Sequence, residues 1–356
     1  MHFDVFNGDA DGIIALLQLY FSQGITAQSL TGSKGDIPKR QLVTGVKRDI
    51  SLLEQVDIEQ AKSVTVLDIS MEKNIEALTC LLDRGVDVFY VDHHRTGEIP
   101  TSKHLTTLID TDANTCTSLL VNKQVKGTYV NWAIAAAFGD NMFPSALLLA
   151  KEVGLTVLQQ EQLKKLGTYI NYNGYGQHIT DLHFHPAVLF EKLLDYPDPF
   201  TLIKAPNSLF HQLEAAYLSD MKNASTAKVI ERNKVFDAYL LPNEPWAKRV
   251  SGVFGNDLAN AQPAKAHVVL TVNNPRVSTV NSSDNAEETY TLSLRAPLNN
   301  KQFAGELCAN FDTGGGRASA AGINNLPLSS LNDFFELMHK YYSSSDCSSA
   351  HNTALL

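Results

Sequence analysis

The sequence predicts an α/β protein: an amino-terminal domain with a parallel sheet and flanking helices, a helical linker, and a smaller α/β domain. Three observations support this fold class. β-rich runs alternate with helical stretches in the first half, residues 145–240 have mostly helical character, and β-like runs return after residue 246. A chain of 356 residues also favours two domains, because single cores usually stop growing near ~250 residues. We expect a first domain at 1–190, a linker at 191–245, a second domain at 246–343 and a disordered tail at 344–356.

The first half repeats a strand-helix-strand pattern. Gly12 marks a tight turn from the first strand into an amphipathic helix, and Gly85 closes a second helix before a strand that is apolar throughout. The predicted elements are a strand at 3–6, a helix at 13–23, a strand at 63–70, a helix at 72–84 and a strand at 86–92. An apolar segment at 129–140 fits either a helix or a strand, because its periodicity does not separate the two.

The carboxy-terminal part predicts a second, smaller α/β domain. Its sequence has three β-like runs, a glycine-rich segment and a final helix. These lie at 250–255, 266–274, 288–297, 312–322 and 329–342.

The charge and hydropathy of the chain exclude some classes of protein. The net charge is -9, which disfavours a non-specific grip on long duplex nucleic acid. There is no apolar run of the length that a membrane helix needs, and the first residues lack the basic and apolar regions of an export signal. We therefore expect a cytoplasmic protein that does not bind membranes.

Acidic and imidazole side chains follow the ends of the apolar segments. Because the carboxyl ends of parallel strands share one edge of a sheet, we expect these side chains to converge there. Divalent cations would offset their mutual repulsion, and a carboxylate-rich site with imidazole suits Mn²⁺ or Mg²⁺. The residues are Asp9, Asp11, Asp68, Asp92, His93, His94 and Asp140.

Each of these features alone has a plainer interpretation. An Asp-x-Asp-Gly run after a strand is often a turn with helix-capping acids, and two adjacent histidines are commonly a surface pair. Their joint occurrence, in order and each at the end of an apolar segment, favours a metal centre. His178, His183 and His185 could mimic a second cluster, but solvated or capping roles fit them better. The segment GSKGD at 32–36 lacks the ending of a phosphate-binding P-loop.

The sequence resembles the DHH phosphoesterase family, in particular members that carry the DHH-associated carboxy-terminal domain. FNGDADG, LDIS, VDHH and FGD are similar to its four motifs, and SLRAP and TGGGRASAAG are similar to the signature of the second domain. The resemblance implies two Mn²⁺ ions, with Mg²⁺ as an alternative. It places one ion at Asp9 and Asp68, and a second at Asp11, Asp68, His93 and Asp140.

The resemblance also implies roles in catalysis and substrate binding. Asp68 would bridge the ions, Asp92 would orient a histidine, and His94 would face the substrate phosphate. The substrate-binding residues would be Arg295, Gly314, Gly315, Gly316 and Arg317, in addition to His94.

Two departures from the family pattern bear on these roles. Many members have a histidine or aspartate ligand where this chain has Val5 and Asn7. Only the amide oxygen of Asn7 could serve as a ligand, which predicts a weaker first metal site. Arg317 stands where the family usually has histidine, and its guanidinium can still bind phosphate.

We expect an oligoribonuclease-like phosphodiesterase that hydrolyses short oligonucleotides or linear dinucleotides to mononucleotides, with substrate held between the two domains. Three alternatives stay open: a cyclic dinucleotide phosphodiesterase, a pyrophosphatase or exopolyphosphatase, and a non-catalytic nucleotide-binding regulator. The sequence leaves open whether the substrate is RNA or DNA, the cleavage direction, the base preference and whether the chain forms a homodimer.

Overall fold

The computed structural model describes residues 1–27, 40–112, 114–274 and 287–343. The chain divides into two compact units, Met1–Tyr217 and Leu218–Leu356. The GSKGD segment and the predicted tail lie outside the described residues. The domain boundaries at residues 190 and 245 stay predictions.

The first unit contains the predicted parallel sheet. Its strands are β1 (His2–Phe6), β2 (Arg40–Thr44), β3 (Ser63–Leu67), β4 (Asp87–Asp92) and β5 (Leu105–Ile109). They run parallel in the order β2-β1-β3-β4-β5. The three central strands are the ones that the sequence predicted. Both edge strands were missed, because their exposed and half-buried residues interrupt the apolar pattern that identifies a buried strand.

Helices cover both faces of this sheet. They are α1 (Ala10–Ser22), α2 (Ile75–Asp83), α3 (Thr117–Gln124), α4 (Val130–Gly139), α5 (Phe143–Glu152), α6 (Val157–Asn173), α7 (Pro186–Leu193), α8 (Pro199–Lys204) and α9 (Leu209–Ala224), the last of which contains the boundary between the units. One core includes Phe6, Leu67 and Val91, and the other includes Phe3, Val66 and Tyr90. Alternate strand residues therefore point into separate cores, as expected of a sheet that is buried on both sides.

The segment at 129–140, which the sequence left open between helix and strand, forms α4. Its small side chains let it pack closely against neighbouring helices. A Cβ atom at Gly139 would lie 2.6 Å from the Cβ atom of Ala10 in α1 and 2.7 Å from the carbonyl oxygen of Gly167 in α6. This close packing holds the end of α4, and with it Asp140, beside the start of α1.

The second unit is a six-stranded sheet with helices. Its strands are β6 (Lys228–Arg232), β7 (Phe236–Leu241), β8 (Ala266–Asn274), β9 (Thr289–Arg295), β10 (Gly314–Gly316) and β11 (Ala320–Pro327). The order is β10-β11-β9-β8-β7-β6, with β7 and β8 parallel and the other neighbours antiparallel. The helices that follow α9 are α10 (Pro245–Ala261), α11 (Ala304–Cys308) and α12 (Leu331–Ser343).

Two sequence expectations for this region were wrong. Residues 228–241 form β6 and β7 instead of continuing a helical stretch, and residues 250–255 lie inside α10 instead of forming a strand. The buried side chains of α10 include Ala247, Val250 and Phe254, a spacing that matches a helix. The six-residue run was too short to reveal this period. The connection β7-α10-β8 is thus a strand-helix-strand crossover, which explains why β7 and β8 are parallel.

Within the described ranges, we find no helix with both the length and the apolar character needed to cross a membrane.

Candidate metal centre

The carboxyl edge of the parallel sheet brings the predicted residues together. Phe6 pairs with Leu67, and Leu67 pairs with Val91. The residues that follow these three strand positions therefore leave the sheet at the same level. They begin the segments that carry Asp9, Asp68 and the run Asp92-His93-His94.

Asp68 lies at the centre of this edge in an unusual backbone conformation. Its φ angle is 61°, in the left-handed region, which costs a residue other than glycine about 1–3 kcal/mol. The backbone N–H of Asp68 donates to the carbonyl of Val91 at 3.1 Å. The carboxylate is buried, and its Oδ1 accepts a hydrogen bond of 3.2 Å from the hydroxyl of Thr117. The tight turn thus directs a buried carboxylate to the sheet edge.

His93 links the carboxylates of three separate segments. Its Nε2 lies 3.3 Å from Oδ1 of Asp68, 3.8 Å from Oδ2 of Asp11 and 3.8 Å from Oδ2 of Asp140. Two sets of donor atoms each fall within 4.8 Å: one from Asp11, His93 and Asp140, and one from Asp68, His93 and His94. The structure therefore brings Asp11, Asp68 and Asp140 each within 4 Å of His93, and each of the two sets could hold a metal ion.

Asp11 is held in this cluster by the amino terminus of α3. Its two carboxylate oxygens accept hydrogen bonds of 2.7 Å from the backbone N–H groups of Thr117 and Ser118. These groups are unpaired donors at the start of a helix, where a negative charge is stabilised. They fix the direction of the carboxylate while each oxygen keeps a second lone pair. Thr117 and Ser118 were not predicted from the sequence, because their hydrogen bonds to Asp11 join segments that lie far apart along the chain.

Asp9 caps α1, as the plainer interpretation of its motif proposed. Its Oδ1 accepts hydrogen bonds from the backbone N–H groups of Asp11 at 3.0 Å and Gly12 at 3.1 Å. The other oxygen, Oδ2, is bonded to the ammonium group of Lys47. Asp9 therefore combines a capping role with a place at the acidic edge.

Burial and charge crowding act on the protonation of the cluster. Burial, followed by the negative charges of Asp11, Asp9 and Asp140, raises the pKa of Asp68 well above its usual range. Burial also raises the pKa of Asp11, although the neighbouring His93 opposes this. A divalent cation among these carboxylates would favour their ionised forms. The electrostatics of the residues present thus fit a metal ion.

Lys47 is a member of the site that the sequence did not predict. Its Nζ donates to Asp9, to Oδ1 of Asn171 at 3.1 Å and to Oδ1 of Asp140 at 3.4 Å. Burial alone would lower the pKa of Lys47, but Asp9, Tyr175 and Asp140 together hold it well above its usual value. Burial alone would raise the pKa of Asp9, but the positive charge and hydrogen bond of Lys47 outweigh the effect of burial, and the pKa of Asp9 is lowered. Lys47 lies just after β2. Had this edge strand been recognised in the sequence, the residues after its carboxyl end, including Lys47, would have been candidates for the site.

Asp92 and His94 form a second pair beside the cluster. Nδ1 of His94 lies 2.7 Å from Oδ1 of the fully buried Asp92, and 3.8 Å from Oδ1 of Asp68. The short contact with Asp92 fixes the ring orientation of His94, whose side chain is 36% exposed. The role of Asp92 in orienting a histidine for catalysis stays a prediction.

The two positions where the chain departs from the family pattern differ in structure. Val5 is buried and packs in the apolar core on one face of the sheet. Asn7 is buried, and its Nδ2 donates to the carbonyl of Lys47 at 3.4 Å. Its Oδ1 has no hydrogen-bond partner among the described residues.

The glycine-rich motif of the second unit forms a strand, and packing requires two of its three glycines. A Cβ atom at Gly314 would lie 1.8 Å from the carbonyl oxygen of Cys308. Gly316 has a φ angle of 145°, and a Cβ atom there would lie 2.5 Å from the Cα atom of Ala321. At Gly315 a Cβ atom would meet nothing within 4 Å. Packing explains Gly314 and Gly316, whereas Gly315 faces open space.

Arg295 is engaged by its own unit. Its Nε donates to Oδ1 of Asn256 at 2.6 Å, Nη1 donates to the hydroxyl of Ser293 at 3.0 Å, and Nη2 donates to the carbonyl of Gly252 at 3.0 Å. These bonds join β9 to α10. The predicted contact between Arg295 and substrate would therefore compete with a structural role. Arg317, the other predicted substrate-binding arginine, is an exposed residue.

His178, His183 and His185, which the sequence suggested could mimic a second cluster, have local partners. Nε2 of His183 lies 2.9 Å from the hydroxyl of Tyr172, and Nδ1 of His185 accepts a hydrogen bond from the backbone of Ala187 at 3.2 Å. The backbone N–H of His178 donates to Asp181 at 3.0 Å. His185 thus caps α7, in agreement with the capping role expected from the sequence.

Solved structures with a similar fold include a DHH-domain protein, an exonuclease and a phosphodiesterase. A DHH-domain member of a family of ribosomal proteins is 13% identical, with a TM-score of 0.59 over 96% of this chain and 86% of that chain. The exonuclease RecJ bound to manganese is 14% identical, with a TM-score of 0.55 over 96% and 89%. The pGpG-specific phosphodiesterase PggH from Vibrio cholerae is 13% identical, with a TM-score of 0.54 over 97% and 99%.

No protein-family model and no curated protein matches the sequence. The fold similarity extends over nearly the whole chain in all three structures. The chain therefore has the α/β fold of DHH-domain proteins, with both the parallel-sheet unit and the second unit included.

Proposed function

We propose that this chain is a metal-dependent phosphoesterase of the DHH family that hydrolyses phosphodiester bonds in short oligonucleotides or linear dinucleotides, releasing mononucleotides. The observation that carries this proposal is the convergence of Asp11, Asp68, His93 and Asp140 at the carboxyl edge of the sheet. A buried carboxylate cluster is costly unless a cation or a proton neutralises it. It therefore needs an explanation beyond folding, and metal binding supplies one.

The donor atoms favour Mn²⁺ or Mg²⁺. Three of the four residues offer carboxylate oxygen and one offers imidazole nitrogen, a set that suits these ions better than metals that prefer thiolate. RecJ, which shares the fold, has been solved with manganese bound. Once bound, the ion would polarise a phosphoryl oxygen and lower the pKa of a coordinated water molecule.

The other residues at the carboxyl edge of the sheet orient the metal ligands and the substrate. Thr117 and Ser118 fix the carboxylates of Asp68 and Asp11, so that these ligands are set before metal binds. Asp92 holds the ring of His94, which we assign to the substrate phosphate. The second unit would bind the body of the nucleotide through Gly315 and the side chain of Arg317.

Two observations favour a short substrate. The net charge of -9 opposes the binding of a long polyanion, and PggH, which has the same fold, is specific for a dinucleotide, pGpG. RecJ is an exonuclease, so cleavage from the end of a strand is also consistent with the fold. A cytoplasmic location remains part of the proposal.

The experiment is an activity panel with Mn²⁺ and four substrate classes: linear di- to pentanucleotides, cyclic dinucleotides, long duplex DNA and pyrophosphate. We expect mononucleotides from the linear substrates, identified by chromatography. Linear products from cyclic dinucleotides, or free phosphate from pyrophosphate, would each identify an alternative enzyme. Nucleotide binding without turnover would indicate a regulator.

Variants connect the activity to the cluster. Asp68→Asn should abolish turnover, because it replaces the negatively charged metal ligand at the centre of the cluster by a neutral amide. The matched control is Asp87→Asn at the other end of β4, where the side chain is 76% exposed. Wild-type activity in Asp68→Asn, or the loss of activity in Asp87→Asn, would contradict the assignment.

A further inference from the structure

Lys47 occupies the part of the site where the family pattern would place a first metal ion. The side chain reaches the carboxylates of both Asp9 and Asp140, and it is 23% exposed. Asp9 is the aspartate that the resemblance assigns to the first ion alone. Its Oδ2 already bonds the ammonium of Lys47, and its Oδ1 accepts the two backbone N–H groups of the α1 cap.

The backbone around Lys47 fixes its position. Its N–H donates to the carbonyl of Gly174 at 2.8 Å, and its carbonyl accepts from Nδ2 of Asn7 at 3.4 Å. The loops also approach closely, since a Cβ atom at Gly8 would lie 1.9 Å from the carbonyl oxygen of Gly45. The backbone of Lys47 is therefore held in a position from which its side chain extends into the site.

Besides Asp9, three groups surround the ammonium of Lys47. Asn171 accepts a hydrogen bond from Nζ at 3.1 Å, Asp140 accepts one at 3.4 Å, and the ring of Tyr175 lies 5.6 Å from Nζ. An ammonium group has three donors, so Asp9, Asn171 and Asp140 match its hydrogen-bonding capacity. The phenyl ring adds a favourable cation–π contact.

A divalent cation beside Asp9 would meet this positive charge at close range. Like charges a few ångströms apart in a partly buried site repel strongly. Asn7, at the position where many family members have a charged or imidazole ligand, offers no negative charge to offset the repulsion. The residues present therefore do not fit a cation at the first position, although Asp11, Asp68, His93 and Asp140 fit one at the second.

We propose that the ammonium group of Lys47 replaces the first metal ion, so that the chain holds one divalent cation, at Asp11, Asp68, His93 and Asp140. This inference rests on the proposed function, because it assumes that the second position binds metal. It also corrects the expectation of two ions, in which Asn7 and Asp9 would have completed a weak first site.

The test measures how many Mn²⁺ ions bind per chain. The full-length protein is stripped with a chelator and titrated with MnCl₂ by isothermal calorimetry, and the loaded samples are examined by electron paramagnetic resonance. Two Mn²⁺ ions roughly 3.5–4 Å apart would be spin-coupled, whereas one ion would give an uncoupled spectrum. Neither measurement requires turnover.

The variants are Lys47→Met and Lys47→Gln, which remove the charge and keep much of the side-chain length. Lys47→Arg keeps the charge, and Lys165→Met is a matched control on the surface of α6, where the side chain is 55% exposed. We expect one uncoupled Mn²⁺ in the wild type, Lys47→Arg and Lys165→Met. A second ion, spin-coupled to the first, should bind in at least one of the two neutral variants.

The outcomes separate the two proposals. Two coupled ions in the wild type would overturn the role of Lys47 and leave the proposed function standing. A single ion in folded Lys47→Met and Lys47→Gln would also overturn it, because the charge would then not be what excludes the second ion. No Mn²⁺ binding by the wild type would contradict the metal-dependent function itself, and the inference would fall with it.

Discussion

Asp68 combines three properties that folding alone does not favour. Its backbone is left-handed, its carboxylate is buried, and its neighbours carry the same charge. Strained residues and perturbed carboxyl groups concentrate at functional sites. The sequence predicted the position of Asp68 at a strand end, but not its backbone conformation, which depends on the bond to Val91 across the sheet.

Replacing Asp68 by Asn should stabilise the metal-free protein and remove its response to metal. Asn tolerates the left-handed conformation, and it has no charge to bury. We expect a Tm increase of a few degrees in the presence of chelator, corresponding to about 1–2 kcal/mol. Addition of Mn²⁺ should raise the Tm of the wild type and of Asp87→Asn, but not that of Asp68→Asn. Differential scanning calorimetry measures both effects, and a lower Tm of Asp68→Asn in chelator would contradict the charge argument.

The stability of the metal-free protein should also depend on pH through Asp68. A carboxyl group with a raised pKa in the folded state binds a proton that the unfolded chain releases, so the free energy of unfolding decreases as the pH rises through the folded pKa. The contribution is fully present below the unfolded value and is lost at higher pH.

Urea unfolding in chelator between about pH 5 and about pH 8 measures this dependence. The Asp68→Asn variant should lose less stability over this range than the wild type. The pKa of Asp11 is also raised by burial and acts in the same direction, so the difference between the two proteins reports the contribution of Asp68. Parallel curves would show that Asp68 does not titrate in this window.

The secondary structure elements show where sequence patterns are informative. The central strands β1, β3 and β4 were identified because continuous apolar runs indicate burial on both faces. The edge strands β2 and β5 lack such runs and were not predicted. Because β2 was not predicted, Lys47, which follows it, was not recognised as a site residue. In the second unit, β7 was assigned to a helical stretch, since short apolar runs fit either type of element.

The glycine-rich strand β10 gives a prediction that separates packing from binding. Gly314→Ala should destabilise the protein by about 1–3 kcal/mol, because its Cβ atom would meet the carbonyl of Cys308 at 1.8 Å. Gly315→Ala should leave the Tm unchanged but raise the KM for a linear dinucleotide. An unchanged KM in Gly315→Ala, or equal destabilisation by both substitutions, would remove Gly315 from the binding surface.

The fold of the chain could be predicted from the sequence more completely than the residues of its candidate metal site. The α/β fold class is confirmed, and the fold similarity to DHH-domain proteins covers nearly the whole chain. Motifs that end strands can be located along the sequence because a parallel sheet gathers those ends at one edge. The hydrogen bond from Thr117 could not be located in this way, because it depends on how distant segments pack. Lys47 was missed for another reason, since the strand that it follows, β2, was not recognised.

The net charge of the chain predicts that nucleic acids of different length bind with different affinity. A net charge of -9 should prevent measurable binding of a long duplex at physiological salt, whereas a dinucleotide should bind in the presence of metal. Fluorescence polarisation with labelled substrates checks both, using the wild type with Ca²⁺ in place of Mn²⁺. Tight duplex binding with a steep salt dependence would contradict the short-substrate proposal.

The most direct measurement is a crystal structure of the protein grown with Mn²⁺, with anomalous diffraction used to locate the ion. A peak should lie between the carboxylate oxygens of Asp11, Asp68 and Asp140 and Nε2 of His93. A map without a peak at this point under saturating Mn²⁺, or with the ion bound elsewhere, would contradict the assignment of this cluster as a metal centre.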